Sequence, residues 1–145
     1  MSPEELRSES PADTEAIGAR IAEGLRPGDT VLVSGDLGSG KTTLIRGACR
    51  ALGVEGPVTS PTFTIGHRYT GRVAVSHLDL FRVQTLEGED PGLIDDYLTE
   101  DAVSFIEWPS AAEPQLERIA VRVGLEHAGG DAREIRIEDN AGAAG

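Results

Sequence analysis

A chain of 145 residues with 39% hydrophobic residues and 18 glycines has the size and apolar share of one globular domain, which argues against disorder over most of its length. No stretch approaches a membrane span, and Met1 to Glu15 carries five acids and one arginine without an apolar run, so neither a membrane helix nor a secretory signal is expected. One cysteine, Cys49, leaves no disulfide or zinc framework and points to a reducing, cytoplasmic setting, while 25 acids against 13 bases (net charge −12) disfavour an unaided grip on nucleic acid.

In chain order, residues 1–9 are polar and read as a flexible N-terminus, and 10–138 read as a single domain. Ser10-Pro11-x-Asp13 has the form of a helix start, with Ser as N-cap and Pro at the first helical position. Ile17, Ile21 and Leu25 continue it at helical spacing until Arg26-Pro27-Gly28-Asp29 ends the run. Thr30 to Ser34 is a short β-branched strand. Lys41 to Leu52 predicts a helix with Leu44, Ile45, Ala48 and Leu52 on one face and Gly53 as its C-terminal cap. Thr59 to Phe63 is a Pro-containing loop, Thr64 to Tyr69 is extended, and Gly71 turns the chain into a strand over 72–78. Leu93 to Leu98 is expected to be helical, and Ala102 to Ile106 is a buried-type strand. Ile119 to Leu125 and Glu134 to Glu138 alternate apolar with polar about Gly129-Gly130, the pattern of an antiparallel hairpin with one wet face. Residues 139–145 form a small-residue tail expected to be flexible. Together these elements predict an α/β fold whose mixed sheet has a parallel core and antiparallel C-terminal strands.

Gly35-Asp36-Leu37-Gly38-Ser39-Gly40-Lys41-Thr42 fits G-x-x-x-x-G-K-[ST] in full, with a strand before it and a helix after. Such a loop curls so that backbone N–H groups face a polyphosphate, the lysine reaches the β- and γ-phosphates, and the hydroxyl ligates Mg²⁺. Twelve of the 13 basic residues are arginine, and the only lysine is Lys41. At this composition the pattern arises in ~0.2% of shuffled chains, so an incidental glycine turn is a poor explanation. Leu37, Gly38, Ser39, Gly40, Lys41, Thr42 and Thr43 are therefore the expected nucleotide contacts.

Two later strands end in carboxylates, Asp79 and Glu107. If both strands run parallel to the first, Gly35, Asp79 and Glu107 emerge at one carboxyl edge, where open α/β sheets bind ligands. The bland alternative is that each acid is merely the first polar residue after a buried strand. His77 shares the face of Asp79 and reads as a core or supporting histidine more readily than as a ligand. Thr59 to Thr64 follows the first P-loop helix, where nucleotide switches place a γ-phosphate sensor, although Ser60-Pro61 also makes an ordinary turn. Val83 to Glu117 contains ten acids and no Lys or Arg, which suits either a solvated face or a docking surface for a basic protein.

A guanine-reading Asn-Lys-x-Asp loop is excluded because the one lysine is already in the phosphate loop. A small kinase would need lid arginines that Val83 to Glu117 does not offer, and a nucleotide-gated adaptor with negligible hydrolysis is the alternative from another class. The phosphate loop, Thr59-Ser60-Pro61-Thr62-Phe63-Thr64, His77-Leu78-Asp79-Leu80-Phe81-Arg82 and Ile106-Glu107-Trp108-Pro109 together resemble the TsaE (YjeE) family over about Thr14 to Ile137. The resemblance implies a P-loop NTPase-like three-layer sandwich and an ATPase that associates with the TsaB–TsaD heterodimer in bacterial tRNA threonylcarbamoyladenosine formation. With no obvious arginine finger its turnover is expected to be slow, and the acidic balance predicts no tight direct tRNA contact. The resemblance also implies Lys41 on phosphate, Thr42 and Glu107 at Mg²⁺, Asp79 in ATPase activity and Trp108 beside the nucleotide. Arg133 matches a recurrent arginine to which no role is assigned. Phe81 stands where the family usually has tyrosine, and Ser39 replaces a common alanine.

Overall fold

The computed structural model describes residues 4–36, 38–59, 61, 65–80, 96–108, 116 and 119–139. Its elements are β1 (Glu4–Ser8), α1 (Pro11–Glu23), β2 (Thr30–Gly35), α2 (Lys41–Ala51), β3 (Gly66–Thr70), β4 (Ala74–Asp79), β5 (Ala102–Glu107), β6 (Ile119–His127) and β7 (Arg133–Asp139). The strands make one sheet in the order β1-β7-β6-β2-β5-β4-β3. The central four, β6, β2, β5 and β4, are mutually parallel, and the flanking pairs are antiparallel. This is the mixed sheet with a parallel core and antiparallel C-terminal strands that the sequence predicts.

Ser10 caps α1 as expected: its hydroxyl accepts from the Asp13 N–H at 3.1 Å, with Pro11 filling a first-turn position that has no hydrogen-bonding duty. Gly53 follows α2 at φ 87°, and Val54 N donates to Cys49 O at 3.0 Å, closing the helix as a left-handed glycine stop. The hairpin about Gly129-Gly130 is also present, with β6 running on to His127.

Two expectations differ from the fold. Glu4–Ser8, read as loose, is an edge strand antiparallel to β7. Its sequence is mostly charged because an edge strand needs one neighbour and keeps its outer rim in water. The described part of the expected helix over 93–98, residues 96–98, is a turn, and 93–95 lie outside the described residues. There Tyr97 O accepts from the buried Ser76 hydroxyl at 2.7 Å, a tertiary contact that a chain-local reading cannot weigh.

Alternation along the strands sorts the core. Val31, Val33, Val75, Val103, Phe105, Val121, Val123 and Leu125 face Leu44, Ile45 and Ala48 of α2 and Ile21 of α1. Leu32, Leu78, Leu80 and Ile106 face the other way, with Ile65, Tyr97, Leu98 and Leu116 against them. The two helices meet at two glycines. A Cβ on Gly18 would lie 2.0 Å from Leu44 O, and one on Gly47 2.0 Å from Glu15 O. Among the described residues no helix is long and apolar enough to cross a membrane.

Candidate functional site

The parallel core brings the carboxyl ends of β2, β5 and β4 to one edge. Val33 pairs with Glu107 and Glu107 with Asp79, so the two acids are neighbours level with Val33, two residues before β2 ends at Gly35. Period-two alternation puts Glu107 on the face of Val103 and Phe105, and Asp79 with His77 on the face of Val75, which is the helix side in both cases.

In the loop itself, Gly38 and Gly40 have φ of 75° and 101°, values that favour glycine strongly over residues with a Cβ. At Gly35 a Cβ would lie 2.6 Å from Leu125 O and 2.5 Å from Ser39 Oγ, so that position must be bare for β6 to pack alongside. Lys41, on the first turn of α2, is buried and donates to Gly35 O at 2.7 Å and Asp36 O at 2.9 Å. An ammonium has three protons, and these carbonyls take two. Burial pushes the Lys41 ammonium below its usual range, while the nearby Glu107, Asp79 and Asp36 carboxylates push it back up.

Thr42 Oγ1 donates to Glu107 Oε2 at 3.4 Å, joining residues 65 positions apart. The same carboxylate oxygen lies 2.6 Å from His77 Nε2, with both side chains buried. His77 Nδ1 and Ser39 Oγ are buried without a hydrogen-bond partner among the described residues. His77, read from the sequence as a core or supporting histidine, is buried and in contact with Glu107.

Trp108 follows Glu107 at φ 54°, a conformation that is an outlier for a bulky residue. Its N–H donates to Val33 O at 3.3 Å, and Lys41 Nζ stands 4.4 Å from the ring centroid. The strained backbone therefore delivers an indole against the lysine of the loop. Thr43 is partly buried on the first turn of α2. Leu37, Ser60 and residues 62–64 lie outside the described residues, and so does most of the switch-like segment.

Sequence reasoning left Arg133 without a role, and the structure supplies one contact after another. Its Nε donates to Ser39 O at 3.0 Å and its Nη2 to Gly38 O at 3.1 Å, while Nη1 donates to Gly130 O and Ala132 O, both at 2.8 Å. No local signal in Arg133-Glu134-Ile135 announces a contact 94 residues away.

A hard oxygen donor pair, hydroxyl and carboxylate, set beside a lysine at the start of a helix fits a magnesium–nucleotide better than a softer metal. Ser39, Lys41, Thr42, Glu107 and Trp108 meet in this one place, with Asp79 at its side. A hollow of about 710 Å³ lies on the far side of Gly35 and Asp36, but Glu5, Glu126 and Glu134 line it with Arg7 and Arg136, and neither Lys41 nor Glu107 does. That acid-rich wall is a poor bed for polyphosphate.

Comparison with known proteins bears on the family of the chain. The family model described as threonylcarbamoyl adenosine biosynthesis protein TsaE matches residues 8–135. The tRNA threonylcarbamoyladenosine biosynthesis protein TsaE of Bacillus subtilis (strain 168) is 39% identical over 130 residues, covering 89% of this chain and 81% of that one. Its counterpart in Streptomyces coelicolor is 40% identical over 124 residues, covering 83% and 84%. The crystal structure of Bacillus subtilis YdiB superposes with a TM-score of 0.77 at 32% identity, over 95% of this chain and 86% of that one. With a family model spanning nearly its whole length and relatives at this identity, the chain belongs to the TsaE family.

Proposed function

We propose that this chain binds ATP with Mg²⁺ on the 37–43 loop, hydrolyses it slowly, and so drives repeated cycles of a TsaB–TsaD heterodimer that transfers a threonylcarbamoyl group to the tRNA adenosine beside the anticodon. The observation that carries the reading is the approach of Thr42 Oγ1 to Glu107 Oε2, 3.4 Å apart, next to the buried Lys41 ammonium.

Lys41, anchored on the Gly35 and Asp36 carbonyls, keeps its remaining proton for a phosphate oxygen. Thr42 and Glu107 would hold Mg²⁺, which would supply positive charge to offset that of the triphosphate. His77 fixes the Glu107 carboxylate in place. Asp79, one strand over and half-buried, would bond a metal-bound water or orient the attacking one. Trp108 covers the lysine and limits its solvation. Arg133 has four of its donors on backbone carbonyls, so it does not serve as a charge-stabilising finger. With Arg133 so engaged among the described residues, a finger worth about 10³–10⁵ in rate is left to come from elsewhere, and turnover is slow and partner-dependent. The net charge of −12 fits a subunit that meets protein while its partners hold the tRNA.

The test is phosphate release from ATP and GTP, with and without the partner pair, by wild type and Glu107→Ala. The proposal requires slow release from ATP that rises with the pair and is lost in the variant. Assembly without any phosphate release would favour the adaptor, transfer to a small acceptor the kinase, and a fast rate indifferent to partners would refute the proposal.

A further inference from the structure

We propose that Arg133 is a positioning residue for the triphosphate: from the base of β7 it grips the outer, carbonyl side of the phosphate loop and thereby sets the inward direction of the loop's N–H groups. The inference rests on the nucleotide-binding reading above and adds a residue to it.

A trans peptide is planar, with its C=O and N–H pointing in opposite directions. Holding Ser39 O therefore turns the Gly40 N–H away from Arg133, and holding Gly38 O does the same for the Ser39 N–H, which donates to Asp36 O at 3.0 Å in the loop's turn. The two residues flanking Ser39 are glycines at φ 75° and 101°. Glycine crosses between backbone regions with little steric cost. Within the loop the 38–39 peptide is held by the Ser39 N–H bond to Asp36 O, while the 39–40 peptide has the permissive Gly40 on one side. A flipped peptide would present a carbonyl oxygen to the phosphates in place of a donor. The guanidinium adds a restraint from outside the loop that holds both peptides together.

Only a fork can do this. Nε and Nη2 are fixed relative to each other and span the two successive carbonyls, while Nη1 is tied to Gly130 O and Ala132 O of the β6–β7 turn. The clamp is thereby anchored on the sheet. Lys41 cannot substitute for it, because its ammonium is engaged at Gly35 O and Asp36 O, at the other end of the loop. Beside the clamp, a Cβ at Gly40 would lie 3.9 Å from Arg133 Nε and 3.6 Å from Leu125 Cδ2, so the hairpin supports the loop in direct contact.

The experiment compares wild type, Arg133→Gln and Arg133→Lys by two readouts: amide hydrogen exchange over residues 38–42 without nucleotide, and ATP·Mg²⁺ affinity by calorimetry. Exchange at β2 and β5 amides serves as the control for folding. Both variants should exchange the loop amides about tenfold faster and bind ATP about ten- to a hundredfold more weakly, with the strands unchanged. Lysine keeps the charge but cannot bridge two carbonyls, so a full rescue by Arg133→Lys would reduce the effect to electrostatics and overturn the clamp. Unchanged loop exchange in folded Arg133→Gln would also overturn it. If Arg133→Gln loses its fold, the same two readouts on Arg133→Lys decide. Faster loop exchange in a protein whose wild type binds no ATP would leave the clamp standing and remove the nucleotide reading. Tight ATP binding in all three proteins would do the opposite.

Discussion

His77 Nε2 lies 2.6 Å from Glu107 Oε2 with both side chains buried, so the carboxylate proposed for Mg²⁺ is oriented before any ligand arrives. Supporting residues of this kind typically govern metal affinity by about 10–100-fold. His77→Phe should keep the ring volume yet weaken the Mg²⁺ dependence of ATP binding by about that factor. A magnesium titration of ATP affinity checks it, and an unchanged titration in a folded variant would show that Glu107 needs no support.

The crossing of α1 on α2 depends on Gly18 and Gly47. In an open helix, glycine to alanine gains about 1 kcal/mol. Here the new methyl of Gly18→Ala would meet Leu44 O at 2.0 Å, and that of Gly47→Ala would meet Glu15 O at 2.0 Å. Overpacking against backbone costs about 1–3 kcal/mol, so the clash wins. Each variant should unfold at lower urea than wild type, whereas a stabilised variant would mean that the helices can separate freely.

Much of the architecture was readable from residues alone, for identifiable reasons. Ser10-Pro11 and Gly53 act through their nearest neighbours, and the phosphate loop is a contiguous eight-residue pattern, so chain-local chemistry suffices. Asp79 and Glu107 are legible as the acids that end two strands, given parallel strands, and β2, β5 and β4 do pair in parallel. Contacts between distant elements were the illegible part. Glu4–Ser8 becomes a strand only because β7 offers an edge, and Gly18 is needed only because α2 passes so near. The Arg133 fork meets the loop across 94 and 95 residues, with no periodicity to signal it.

Cys49 sits on the packed face of α2, fully buried, and burial pushes its thiol up to about 12. Only the thiolate reacts readily, so at about pH 8 the folded protein should resist iodoacetamide and the unfolded protein should consume it. Labelling along a urea series should therefore follow the unfolding curve. Rapid labelling of native protein would mean that α2 opens locally.

The ammonium of Lys41 carries a pH dependence with a definite sign. Burial lowers its pKa from 10.5, against the pull of Glu107, Asp79 and Asp36. Phosphate binding needs the protonated form, so ATP affinity should fall as pH rises, and should do so below the pH at which an exposed lysine loses its charge. Affinities measured from about pH 7 to about pH 10 should show this limb in wild type and not in Lys41→Ala. A flat profile in wild type would detach the lysine from the phosphates.

The most direct test of the whole account is calorimetric titration of ATP, with and without Mg²⁺, into wild type and Lys41→Ala. Wild type should bind, more tightly with Mg²⁺, and the variant should lose at least about a hundredfold in affinity while keeping its fold, the scale expected for removing a charged, buried phosphate contact. Equal binding by the two proteins, or none by wild type, would contradict it.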